Sequence, residues 1–121
     1  MVEYKDYNDF ELLYLICEQN ERAYEILYKK YEFVVEMKAK KYFKFGSTKG
    51  LEYNDLFQEG MIGLSEAIRD FKETKNVKFS TFASLCIERQ INTAIIRANR
   101  QKHKLLNESL SLDEHFLDNE K

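Results

Sequence analysis

Residues 55–71 read Asp-Leu-Phe-Gln-Glu-Gly-Met-Ile-Gly-Leu-Ser-Glu-Ala-Ile-Arg-Asp-Phe, and the spacing inside this stretch decides the fold class. Leu56, Gly60, Leu64, Ala67 and Phe71 recur at the three- and four-residue intervals of one helical stripe. Asn54 is the expected N-cap, its side-chain oxygen accepting from free amides of the first turn, and Asp55 complements the positive end of the helix dipole. Gly60 and Gly63 each cost such a helix up to ~1 kcal/mol relative to alanine. They are sensible only where another helix packs close against that face. The opposite face offers Asp55, Gln58, Glu59, Ile62, Glu66 and Arg69: an apolar anchor with a polar rim, as in a small docking patch, or a solvated face carrying one stray isoleucine.

Working outward, the pattern stays helical. Residues 9–18 give a short amphipathic helix with Leu12, Leu13 and Ile16 inward, and Gln19 and Asn20 offer a turn. A long helix is expected over Glu21 to Phe43, with Ala23, Ile26, Leu27, Tyr31, Val34, Met37 and Ala39 as its apolar repeat. Gly46-Ser47-Thr48-Lys49-Gly50 breaks it. A loop from Lys72 to Lys78 leads to Ser80 or Thr81 as N-cap of a last helix reaching about Lys102. The 121-residue chain contains no proline, so no residue forces a break inside an element. An all-α compact bundle of about four to five helices follows. After Leu106 the chain is acidic and weakly periodic, and is read as linker.

The last helix divides into two faces at about 100° per residue. Ala83, Ile87, Ile91, Ala94, Ile95 and Ala98 form the core side. Phe82, Arg89, Thr93, Arg97, Arg100 and Lys104 form the other, with Gln90 and Gln101 at its edge. Cations release counterions from phosphates, glutamine pairs at two points with adenine, arginine pairs with guanine, and threonine touches a thymine methyl. An exposed phenylalanine can stack on an unpaired base. Such a face is equally compatible with plain solvation.

Net charge is −2, which argues against a general nucleic-acid binder, but the charge lies in blocks. Residues 80–104 carry Arg89, Arg97, Arg100, Lys102 and Lys104 against Glu88. Residues 105–121 carry Glu108, Asp113, Glu114, Asp118 and Glu120 against Lys121, and residues 37–51 are purely basic, with Lys38, Lys40, Lys41, Lys44 and Lys49. Segregated charge gives separate surfaces separate partners. Cys17 and Cys86 fit no metal-ligand spacing and read as buried free thiols. No apolar run reaches the ~20 residues of a membrane span, so a cytoplasmic protein without a membrane partner is expected. His103 and His115 lack convergent acids; no catalytic residue, metal or cofactor is expected, and the chain is not read as an enzyme.

The words on these helices resemble a known family. Asp55-Leu56-Phe57-Gln58-Glu59-Gly60 through Gly63-Leu64, then Ala67 and Phe71, is similar to the signature of domain 2 of the bacterial sigma-70 family of transcription initiation factors. Lys78-Phe79-Ser80-Thr81-Phe82-Ala83, Arg89-Gln90-Ile91 and Arg100-Gln101-Lys102-His103 continue the match, with a flavour resembling the sigma-H (stationary-phase and sporulation) branch. The resemblance implies a domain over 1–104 and an acidic linker over 105–121, leading to a further domain that reads the −35 element.

It also implies a division of labour. Asp55, Gln58, Glu59, Ile62 and Arg69 would bind the β′ clamp helices of RNA polymerase core. Arg89, Gln90, Thr93, Arg97, Arg100 and Lys104 would bind promoter DNA at the −10 element. Phe71, Phe79 and Phe82 would help melt it and hold the non-template single strand. An anti-sigma factor is a further expected partner. Two departures stand out: the chain has no tryptophan, with Leu85 and Cys86 near where primary factors carry a pair, and the spacing from Phe82 to Arg89-Gln90 is one residue longer. A stand-alone helix-turn-helix regulator and a purely protein-binding bundle are the rival readings.

Overall fold

The computed structural model describes residues 8–45, 50–72 and 76–109, the side chains of residues 45 and 102–109 excepted. Among these described residues four helices occur, in the order α1 (Asp9–Cys17), α2 (Glu21–Phe45), α3 (Tyr53–Asp70) and α4 (Phe79–Ser109). Helix α3 packs most extensively on α4 and next on α2, while α1 rests on α2. The all-helical expectation is met.

Local chemistry sets the helix ends. Asn8 Oδ1 accepts from the Phe10 amide at 2.7 Å and opens α1. Gln19 turns the chain with a φ of 65°, and Asn20 Oδ1 accepts from the Ala23 amide at 3.1 Å to start α2. The expected turn is therefore present. Helix α3 starts earlier than expected: the Asp55 carboxylate accepts from the Glu52 amide at 2.9 Å, which moves the cap from Asn54 to Glu52. At the other end Phe71 is the C-cap, in extended backbone, so its ring leaves the α3 stripe. Ser80 and Thr81 fall inside the first turn of α4 rather than at its cap. That helix also continues past Lys102 to Ser109, taking the first residues of the expected linker. Gly50 has a φ of 88°, consistent with a break before α3; residues 46–49, 73–75 and 110–121 lie outside the described residues.

The core is made by Leu12, Leu27, Val35, Leu56, Leu64, Phe79, Ile87 and Ile91, all essentially inaccessible. On α2 the buried valine is Val35 rather than Val34, and Met37 is 56% exposed. Met61 and Ile68 widen the buried stripe of α3. The two α3 glycines sit where a side chain would collide. A Cβ on Gly60 would lie 2.7 Å from Val35 Cγ1, and one on Gly63 would lie 2.7 Å from the Cys86 carbonyl oxygen and 2.9 Å from Ile87 Cα. Their helix-propensity cost is thus offset by the close approach of α3 to its neighbours.

Candidate functional site

Because Gly63 brings the α4 backbone against α3, the outer faces of these two helices lie side by side. On α3, Asp55, Gln58, Glu59, Ile62 and Arg69 fall within an arc of about 100°. Gln58 and Asp55 are exposed, Glu59 is half-buried, and Ile62 stands 46% exposed at the middle of the face. Arg69 is engaged by its neighbour: Nε donates to Asp70 Oδ1 at 2.9 Å and a terminal nitrogen to Oδ2 at 3.2 Å. This pairing holds the Asp70 carboxyl below its usual range. Asp55 already spends one oxygen on the Glu52 cap.

On α4, Arg89, Thr93, Arg97 and Arg100 are exposed and share a second arc of about 80° that runs on to Lys104; the Lys104 side chain lies outside the described ones. Two exposed apolar residues flank the cations, Leu85 at 57% and Ile96 at 53% exposure. Sequence reading noted Leu85 only as standing near where primary factors carry a tryptophan pair, and passed Ile96 over, because an isolated apolar residue beside a core stripe looks like its margin. Glu88 turns away from this arc toward α2, where Tyr42 donates to its Oε2 at 2.7 Å. Lys38 and Lys41 lie 3.7 and 4.0 Å from the same oxygen. The Tyr42 hydrogen bond first, and the lysines after it, hold the Glu88 carboxyl below its ordinary value. The outward arc is thereby left without a carboxylate of α4 among the described side chains.

The two arcs meet. Gln90, expected on the α4 edge, donates from Nε2 to Glu59 Oε1 at 2.7 Å. Beyond it a groove of about 330 Å³ runs between the helices, floored by Leu51, Leu56, Ala94 and Ala98 and rimmed by Asp55, Gln58, Glu59, Arg97 and Gln101. The sequence treated the two faces as separate surfaces; in the fold they share this rim.

The aromatic group assembles around the other end of α4. Phe71 meets Phe79 edge-on at 5.4 Å and Phe82 at 5.6 Å, and Phe79 meets Tyr31 edge-on at 5.3 Å. Phe79 is 1% exposed, so it has no free face for a base and serves as the anchor of the group. Phe71 and Phe82 are half-buried and keep part of their surface outward. Phe10 of α1, which sequence reading did not single out, is 43% exposed and lies 6.3 Å from Phe71. Helix α1 is held there by Asp9, which pairs with Lys30 Nζ at 2.6 Å and accepts from the Tyr31 hydroxyl. Burial first, and the Asp9 carboxylate second, hold the Tyr31 phenol well above its usual value.

The thiols are both free, but differently placed: Cys86 is buried and Cys17 is exposed, against the expectation for the latter. No group of three metal-ligating side chains occurs among the described residues, and no described helix is long and apolar enough to cross a membrane.

Comparison with known proteins bears directly on these faces. The family model described as Sigma-70 region 2 matches residues 27–101, a span that holds all of α3 and both arcs up to Gln101. The chain is 50% identical over 98 residues to the RNA polymerase sigma-H factor of Bacillus subtilis, covering 81% of this chain and 43% of that protein. It is 44% identical over 112 residues to the sigma-H factor of Bacillus licheniformis, covering 93% and 48%. A shorter match, 45% over 49 residues, reaches RNA polymerase sigma factor SigA of Lactococcus lactis subsp. cremoris, covering 40% and 14%. The chain spans less than half the length of the sigma-H relatives it matches.

Proposed function

The chain belongs to the sigma-70 family of RNA polymerase sigma factors through its region 2, and from that premise we propose that it docks on RNA polymerase core and directs it to promoters by reading and opening the −10 element. The outer face of α3, centred on Ile62 and ringed by Asp55, Gln58, Glu59 and Arg69, is the docking face for the β′ clamp helices. An exposed apolar centre within a polar rim suits a helical partner. The arc of Arg89, Gln90, Thr93, Arg97, Arg100 and Lys104 binds the DNA. Leu85 and Ile96 add apolar contact to the same surface, of the kind that meets a thymine methyl.

The observation that carries the reading is the exposed cationic arc of α4 set directly beside the α3 face. One rigid pair of helices then fixes where DNA lies relative to polymerase. Opening requires no bond chemistry. Holding the non-template strand more tightly than the duplex shifts the equilibrium toward the open form. Phe71 and Phe82 supply ring surface against the unstacking cost of a few kcal/mol per step, with Phe79 as their support. An anti-sigma factor would be expected to cover one of the two faces.

The test is capture of RNA polymerase core by the chain, compared with the double variant Gln58→Ala plus Ile62→Ala. Neither side chain is buried, so helicity by circular dichroism should stay constant while capture is lost. Failure of the well-folded wild-type chain to retain core polymerase would overturn the proposal.

A further inference from the structure

We infer that Glu59 is a positioning residue for base recognition: it fixes which end of the Gln90 amide faces the DNA, and so sets the base preference at the position Gln90 reads. The inference rests on the sigma reading above and goes beyond it, because it gives a residue of the docking helix a role in sequence choice.

The argument is one of donors and acceptors. An ionised carboxylate only accepts hydrogen bonds, whereas a glutamine side chain ends in a donor and an acceptor of nearly the same shape. Glu59 Oε1 lies 2.7 Å from Gln90 Nε2. The carboxylate therefore selects the Nε2 end of the amide and turns Oε1 away from α3. A carbonyl oxygen facing the carboxylate would be repelled.

The contact spans 31 residues of sequence and exists because α3 and α4 touch at Gly63. A Cβ there would stand 3.1 Å from Gln90 Cβ itself, one helical turn along from Glu59. Both partners are half-buried, which shields the bond from competing water. Nε2 carries two hydrogens, so one bond to Glu59 leaves a second N–H beside Oε1. That ordered donor–acceptor pair matches an adenine edge, N7 accepting and the N6 amine donating. Without Glu59 the amide can turn over, and the order of donor and acceptor along the groove is lost.

The experiment selects bound sequences from a fork-junction DNA library with the upstream −10 positions randomised. The selecting protein is the complex of this chain with RNA polymerase core. Base preference at each position is a ratio within one variant, so a general weakening of docking by a change at Glu59 lowers yield without altering the ratios. In the wild-type chain one position should lose its preference, by about tenfold, in Gln90→Ala. Glu59→Gln, whose amide can donate or accept, should flatten the preference at that same position alone. Glu59→Lys, which only donates, should turn the Gln90 carbonyl inward and move the preference to a different base.

A Glu59→Gln preference equal to wild type, with Gln90→Ala still flattening that position, would overturn the inference and leave the sigma reading standing. A uniform loss of preference at every position in Glu59→Gln would also overturn it, since that is the mark of a merely structural role. A wild-type complex that retains polymerase but shows no preference anywhere would overturn the inference and the promoter-reading proposal together.

Discussion

Helix α4 is held on two sides by different physics. Against α3 it is held by absence: Gly63 has no side chain, so backbone meets backbone, and the Cys86 carbonyl oxygen and Ile87 Cα would lie within 3 Å of any Cβ placed there. Against α2, beyond the buried Val35 and Ala39, it is held at its edge by a polar group, Glu88 with Tyr42, Lys38 and Lys41. The first seam cannot yield without moving a helix, while the polar edge of the second weakens when Glu88 takes up a proton. The difference suits the proposed function. The seam that relates the proposed docking face to the proposed reading face is the rigid one, and the adjustable one lies behind them.

The sharpest way to break this contrast is Gly63→Ala. The new Cβ meets backbone, which has no rotamer to change, so the variant should lose about 3 kcal/mol despite gaining up to ~1 kcal/mol in helix propensity. Gly60→Ala is the control. Its Cβ would meet Val35 Cγ1 at 2.7 Å and Ile91 Cδ1 at 3.3 Å, side-chain atoms that can shift without moving a helix, although the β-branched valine has one strongly preferred rotamer there. A cost of about 2 kcal/mol is expected. Urea unfolding followed by circular dichroism measures both. Equal costs at the two positions would show that α4 is free to slide on α3, and the rigid seam would be lost as an idea.

Glu88→Gln probes the other seam. The Tyr42 hydrogen bond at 2.7 Å is short, whereas the two lysine contacts sit near the limit of an ion pair. The variant should therefore lose about 1 kcal/mol at neutral pH, most of it from weakening a charge-assisted bond. The pH dependence follows from the depressed Glu88 carboxyl. A folded-state value below the unfolded one means the stabilisation is fully present above the ordinary carboxylate pKa of about 4.3. It is lost as pH falls through the depressed value. Wild type and Glu88→Gln should then differ at pH 7 and converge as the pH falls through the depressed value, in parallel urea titrations. A gap independent of pH would assign the effect to packing.

The same contrast explains what the sequence could disclose. Gly60 and Gly63 inside a strong apolar repeat predict a close neighbour, because a helix keeps such residues only where space demands them, and they mark the rigid seam. The arc of Arg89, Thr93, Arg97 and Arg100 follows from the 3.6-residue period alone. The Glu59–Gln90 bond does not, since periodicity gives a face to each helix but not the angle at which two faces meet. Phe79 and Phe82 are both expected from the sequence to help open the −10 element, yet Phe79 is 1% exposed and Phe82 half-buried. Phe71 leaves its helix at the C-cap and meets both rings, a grouping that periodicity does not encode. The cap at Glu52 was hidden by Asn54, a better capping residue in isolation, because reciprocity with Asp55 decides the matter.

Helix α2 gives the smallest effect and a test of that same limit. Its adjacent pair Val34-Val35 leaves the apolar register ambiguous by one residue, about 100° of rotation. The choice of Val34 carries Met37 inward with it. In the fold Val35 is fully buried and Met37 stands 56% exposed, on the side of α2 turned away from both seams. Met37→Gln should therefore change stability by less than about 0.5 kcal/mol, as surface substitutions do. Val35→Ala, removing two buried methyl groups of which Cγ1 packs over Gly60, should cost about 2 kcal/mol. Thermal and urea unfolding of the pair would locate the inward face of α2 directly. A loss of 2 kcal/mol or more from Met37→Gln would rotate α2 by one residue and, with it, move Tyr42 and Lys38 out of reach of Glu88.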